Sequence, residues 1–208
     1  MKDSIHAERP DSGFSRRAFL RGSGAAAAAT ALATGPGAVE AAQAKKPKVT
    51  GGQGTSKIKL TVNGQSREVE VETRTTLLDA LRYQLDLTGA KPVSIDETSG
   101  ACTVIMDGKT ISANTTLVMQ CVGKKIQTVE SLGGSRPDAV PLAFVKHDAM
   151  QCGFCTPGFV VAVRAFLDKN PKATEAQIRQ GLNGNICRCG TYANVIQAAI
   201  DVVKGGKK

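Results

Sequence analysis

Cys152-Gly153-Phe154-Cys155-Thr156-Pro157-Gly158 and Cys187-Arg188-Cys189-Gly190-Thr191-Tyr192 are the stretches on which the reading of this chain turns. The chain has 6 cysteines among 208 residues, and four of them fall in these two tight pairs. Such pairing points to metal or redox chemistry more than to general packing. Each pair also sits where one helical pattern gives way to the next. In the first, Thr156-Pro157 reads as a helix start, with Thr as cap and Pro at the first helical position. If the helices run antiparallel, the two junctions meet at one end and four thiolates converge. Gly153 and Gly190 would then let the backbone pass close to what the sulfurs hold.

The helical pattern extends from Pro137 to the end of the chain. Ala139–Met150 reads as one helix. Val160, Val161, Val163, Phe166 and Leu167 give the second an apolar side, and Asn170-Pro171 stops it. Thr174-Glu175-Ala176-Gln177 is a capping box for a third. Thr191 to Val203 forms a fourth, with Val195, Ile196, Ala199, Ile200 and Val203 facing inward. Four short helices make a small bundle over 137–204.

Upstream the period changes to two. Lys57–Val62 and Arg67–Val71 alternate around the turn signal Asn63-Gly64. Thr103–Met106 and Lys109–Ser112 do the same around Asp107-Gly108. Between the hairpins, Thr75-Thr76 precedes a helical run with Leu77, Leu78, Leu81 and Leu85. Lys125–Val129 is a last short strand. Hairpin, helix, hairpin and strand over 57–132 predict a β-grasp sheet with a helix across it. Gly133-Gly134-Ser135-Arg136-Pro137 is the expected hinge, and the fold class is α+β.

Residues 1–44 read as a leader. Ser15-Arg16-Arg17-Ala18-Phe19-Leu20 carries a paired Arg followed by apolar residues. An Ala-rich run and a small-x-small site at Ala42-Gln43-Ala44 follow, the pattern of a twin-arginine signal peptide. Residues 45–56 form a flexible tail. Twin-arginine export carries proteins already folded, so a thiolate-held cofactor can be installed before the chain meets an oxidising compartment. The expected location is therefore the periplasm.

The net charge is +9, but no basic stripe interleaves with aromatics, which disfavours nucleic acid as a partner. His6 lies in the leader and His147 stands alone on a helix, so no catalytic set emerges. Four Cys suit zinc, an iron–sulfur cluster or two disulfides. The C-x-C spacing of Cys187 and Cys189 is less usual for zinc. It can place both sulfurs on one iron of a [2Fe–2S] rhomb, with Cys152 and Cys155 on the other.

Together the two motifs resemble the small iron–sulfur subunit of the xanthine dehydrogenase/aldehyde oxidase family of molybdenum hydroxylases, and the resemblance spans nearly all of residues 57–203. It implies a β-grasp ferredoxin domain joined to a helical [2Fe–2S] domain. It implies metal ligands Cys152, Cys155, Cys187 and Cys189, and a molybdenum–pterin cofactor on a large partner subunit. It further implies pterin contacts from Gln151 and Cys189. The chain departs from the family in the β-grasp loop, where four cysteines are expected. Ser94 and Ser99 stand at the first two positions and Asn114 at the fourth; Cys102 alone matches. Neither Ser nor Asn readily supplies the anionic sulfur that iron–sulfur clusters require, so the expectation is one cluster and a vacated second site. Cys102 and Cys121 are then either two half-buried thiols or a disulfide stapling the loop. With one relay missing, the family's usual exit to a flavin is cut, and a periplasmic cytochrome c is the expected acceptor, with a flavin subunit as the alternative. Two rival readings remain at this level: a non-redox scaffold with structural zinc, and a free-standing ferredoxin.

Overall fold

The computed structural model describes residues 54–205, apart from 95 and 97. The expected leader and most of the tail lie outside the described residues. The tail ends sooner than predicted, because Ser56 already pairs with Val71 in the sheet.

Five strands form one mixed sheet: β1 (Ser56–Val62), β2 (Gln65–Val71), β3 (Thr103–Met106), β4 (Lys109–Ser112) and β5 (Lys125–Gln127), in the order β2-β1-β5-β3-β4. Both hairpins form where expected. Val62 faces Gln65, Met106 faces Lys109, and Asn63 and Asp107 take left-handed conformations in two-residue turns. β5 runs parallel to β1 and antiparallel to β3, closing the middle of the sheet.

The alternation along the strands divides the apolar residues between two faces. Leu60, Val62, Val69, Val71, Val104 and Ile126 point one way, onto Leu77, Leu78 and Leu81. Burying a side chain of this size is worth roughly 1.5–3 kcal/mol. The helix carrying those leucines is α1 (Leu77–Asp79), capped by Thr76 Oγ1 on the Asp79 amide, and it widens at once into a π-helical turn over Ala80–Gln84. On the opposite face Ile105 meets Val161 and Ala165 of the second helical pattern, with Val129 and Leu132 beside them. This small cluster fixes the helical half onto the sheet.

The helical half comprises α2 (Ala139–Lys146), α3 (Thr156–Lys169), α4 (Glu175–Gly181) and α5 (Tyr192–Gly205). Val140, Phe144, Phe159, Val163, Ile178, Val195, Ile196 and Ala199 form its core. The capping box at Thr174 and Gln177 is present in both directions. Among the described residues no helix is long and apolar enough to cross a membrane.

Three of the boundaries that differ from the sequence reading shape the site or the join to it. α2 ends at Lys146, not Met150, because Asp148 turns left-handed and the Ala149 amide bonds back to the Phe144 carbonyl at 2.9 Å. That reversal frees residues 148–155 to form a cysteine loop. β5 stops at Gln127. The Thr128 amide is drawn to Asn63 Oδ1 at 2.9 Å, and Val129 opens a 3₁₀ turn over Val129–Leu132. At the start of α3 the cap position belongs to Cys155, and Thr156 is already helical. Cys155 makes no side-chain cap bond, so its sulfur remains turned to the other loop.

Candidate metal centre

The α2–α3 loop carries Cys152, exposed, and Cys155, half-buried at the cap of α3. The α4–α5 loop carries Cys187, buried, and Cys189, half-buried. The structure brings the two loops together, as the spacing predicted, but the neighbours run across the loops. Cys152 and Cys189 influence one another's ionisation across the loops, and so do Cys155 and Cys187. Among the described residues no three His, Cys, Asp or Glu side chains close around a single point.

Local bonds tune these thiols unequally. Burial opposes ionisation of Cys187. Hydrogen bonds from the Thr191 hydroxyl and amide and from the Cys189 amide outweigh it, and the thiol comes down to about 7. The Thr191 Oγ1 and Cys187 Sγ atoms lie 3.1 Å apart, and the Cys189 amide reaches the same sulfur at 3.3 Å. Cys155 is pushed up to about 12 by burial, by its bond to Cys187 and by the charges of Cys187 and Cys152. The Phe154 amide and then the Cys189 thiol lower Cys152. Cys189 is favoured as a thiolate by the Cys152 amide, but the Cys152 thiolate and burial hold it above its ordinary value. Cys187 and Cys152 thus lean toward the thiolate, and a thiophilic cation entering the site displaces the protons still held by the others.

Gly153 and Gly190 have φ of +79° and +88°. A Cβ on Gly190 would meet nothing, and one on Gly153 would only reach Met150 in ordinary contact. Both glycines therefore supply left-handed turns that other residues rarely adopt. Gln151 sits exposed beside Cys152.

Sequence reasoning quoted Thr191 and Tyr192 within the motif and assigned them no task. Tyr192 holds the second loop: its hydroxyl accepts the Cys187 amide at 2.8 Å and lies 3.4 Å from the Asn185 carbonyl. Its ring stands edge-on to Phe159 of α3, with centroids 5.7 Å apart. Asn185 carried no sequence signal at all. It is buried, and its side-chain amide donates to the Gly100 carbonyl at 2.8 Å. The Ile186 amide donates to the Ser99 carbonyl at 2.9 Å. Gly158 packs so closely that a Cβ there would strike the same Gly100 carbonyl.

Ser99 and Gly100 belong to the loop with the substituted ligand positions, and that loop is itself a hydrogen-bonded unit. Ser94 Oγ lies 3.4 Å from Ser99 Oγ, which accepts the Ala101 amide at 3.3 Å. The Asn114 side chain donates to the Ser94 carbonyl at 3.0 Å, and its amide to Cys102 Sγ at 3.2 Å. All four positions therefore meet, with one sulfur among them. Cys102 and Cys121 are both fully buried thiols, not half-buried ones, and no disulfide joins them. The Cys121 thiol points to the Leu117 carbonyl at 3.7 Å.

Two loops that present four sulfurs from a helical core, beside a small mixed sheet, form the kind of thiolate site that takes zinc or an iron–sulfur cluster. The [2Fe–2S] binding domain family matches residues 128–200. The nicotine 6-hydroxylase small subunit of Paenarthrobacter nicotinovorans is 40% identical over 144 residues, covering 69% of this chain and 87% of that protein. The aldehyde oxidoreductase iron-sulfur-binding subunit of Escherichia coli K12 is 39% identical over 176 residues, covering 76% of each. Among solved structures, a chain of quinoline 2-oxidoreductase from Pseudomonas putida 86 superposes with a TM-score of 0.70 at 37% identity, covering 74% of this chain and 96% of that one. The chain belongs to the iron–sulfur subunits of the xanthine dehydrogenase/aldehyde oxidoreductase family. Complexes of this family are oxidoreductases in which the iron–sulfur chain serves electron transfer and a partner subunit carries the molybdenum cofactor.

Proposed function

We propose that this chain is the single-cluster electron-transfer subunit of an exported molybdenum hydroxylase, with its [2Fe–2S] cluster on Cys152, Cys155, Cys187 and Cys189. The observation that carries this reading is the approach of the two cysteine loops, whose thiols influence one another's ionisation, with hydroxyl and amide donors on the Cys187 sulfur. The donor set fits the group: four sulfurs, ready ionisation at Cys187, and amide and hydroxyl donors already aimed at sulfur. Bound there, the cluster supplies one-electron transfer. The protein's own residues orient the sulfurs, keep Cys187 from water and hold the second loop through Tyr192.

The substituted loop supports one cluster and not two. Serine hydroxyls and a neutral amide stand where three thiolates would be needed, and they bond to each other and to the backbone. The sheet with its crossing helix fits a β-grasp domain over 57–132, followed by the helical [2Fe–2S] domain over 137–204. The substrate class is an aldehyde or N-heterocycle, a reading supported by its likeness to nicotine 6-hydroxylase, aldehyde oxidoreductase and quinoline 2-oxidoreductase chains. Gln151, exposed at the outer edge of the site, and Cys189 are the proposed pterin contacts. The twin-arginine pattern at Arg16-Arg17 supports a periplasmic location, and a cytochrome c subunit is the acceptor best suited to a chain with one relay missing.

Iron and acid-labile sulfide analysis of the purified complex should return about two of each per chain, with one electron paramagnetic signal on reduction. About four of each would refute the single-cluster reading, and none would refute the metal centre.

A further inference from the structure

We propose that Thr191 sets the reduction potential of the cluster by donating its hydroxyl hydrogen bond to the Cys187 sulfur. The inference rests on the reading that the four cysteines hold the cluster, and it goes beyond that reading by assigning a tuning role to a residue outside the ligand set.

Thr191 stands at the threshold of α5, where its carbonyl accepts the Val195 amide at 3.0 Å. A threonine in that position ordinarily turns its oxygen onto the first helical amides. Here the hydroxyl is turned to Cys187 Sγ, 3.1 Å away. Both residues are buried, Thr191 at 4% and Cys187 at 8% exposure, so water is a poor substitute for the bond. A metal-bound cysteine is a thiolate with no proton to give, which makes the hydroxyl the donor.

Reduction adds negative charge that is shared with the ligand sulfurs. A donor aimed at sulfur therefore stabilises the reduced form more than the oxidised one, and a dry surrounding enlarges the difference. The Cys189 amide on the same sulfur is backbone and stays in place under side-chain substitution. The Thr191 hydroxyl can be removed almost without change of shape, because valine replaces it with a methyl group.

The test uses the intact purified complex with Thr191→Val, Thr191→Ala and Thr191→Ser, each followed by iron content and by redox titration of the electron paramagnetic signal. Thr191→Ser should stay within about twofold of the parent ratio of reduced to oxidised cluster at a fixed potential. Thr191→Val and Thr191→Ala should each lower that ratio by about tenfold, which for one electron is 59 mV. An iron-loaded Thr191→Val complex with the parent midpoint would overturn the proposal and leave the metal centre standing. Loss of iron from both hydroxyl-free variants would assign Thr191 to cluster assembly and would also overturn it. A parent complex without iron would defeat the underlying reading as well.

Discussion

At the scale of single residues, the chemistry of the site was legible and its support was not. Cysteine spacing names the donors because thiolates are what iron–sulfur chemistry needs. Spacing is silent on how the two loops are held, because that depends on how Cys155 enters α3 and on what Tyr192 and Asn185 bond to. The hydroxyl of Tyr192 is a similar case, since a tyrosine at a helix start reads as packing. In the structure it accepts the amide of Cys187, a residue with little access to water. Tyr192→Phe leaves that amide without its acceptor, at a cost of roughly 1–3 kcal/mol. The expected result is a lower denaturant midpoint for the complex and faster loss of iron to a chelator. An unchanged midpoint would show that Tyr192 acts through its ring on Phe159 alone.

At the scale of elements, both hairpins, the capping box and the four helices follow from local patterns, because each pattern is decided within a few residues. The failures occur where a distant partner outvoted the local signal. The strand after Gln127 was lost to Asn63, which captures the Thr128 amide from another hairpin. The last turn of α2 was lost to the left-handed Asp148, and the Asp148 carbonyl is held by Asn194 of α5 at 3.0 Å. α3 shows the same dependence on a remote neighbour. It approaches the Ser99–Gly100 loop so closely that Gly158 has no room for a side chain. Gly158→Ala should cost about 1–3 kcal/mol through overpacking. Each kcal/mol is worth about 2–4 °C in a chain of this size. Thermal scans should therefore show a drop of several degrees, with iron content falling as the loops separate. A variant as stable as the parent would mean that the loop yields at no cost.

At the scale of the whole molecule, the fold class could be read from the switch between a period of two and a period of 3.6. The way the two patterns join could not. Ile105 supplies that join by facing away from the strand neighbours that fill the sheet's own core, onto Val161 and Ala165. The substituted loop is likewise a whole-molecule feature, since Ser94, Ser99, Cys102 and Asn114 come from two separate segments. Replacing Ser94, Ser99 and Asn114 together with cysteine should raise iron from about two to about four per chain and add a second electron paramagnetic signal. Iron that stays at the parent level would mean that the polar network has drawn the loop out of reach of a cluster.

The bonds from Ile186 and Asn185 to the Ser99 and Gly100 carbonyls limit what evolution can do with that loop. Side chains at 94, 99 and 114 take no part in those bonds, which are accepted by main-chain oxygens. Chain length bears on them directly. A deletion there would pull away the buttress one residue from Cys187, so the span of this loop is tied to the position of the cysteine loop beside it.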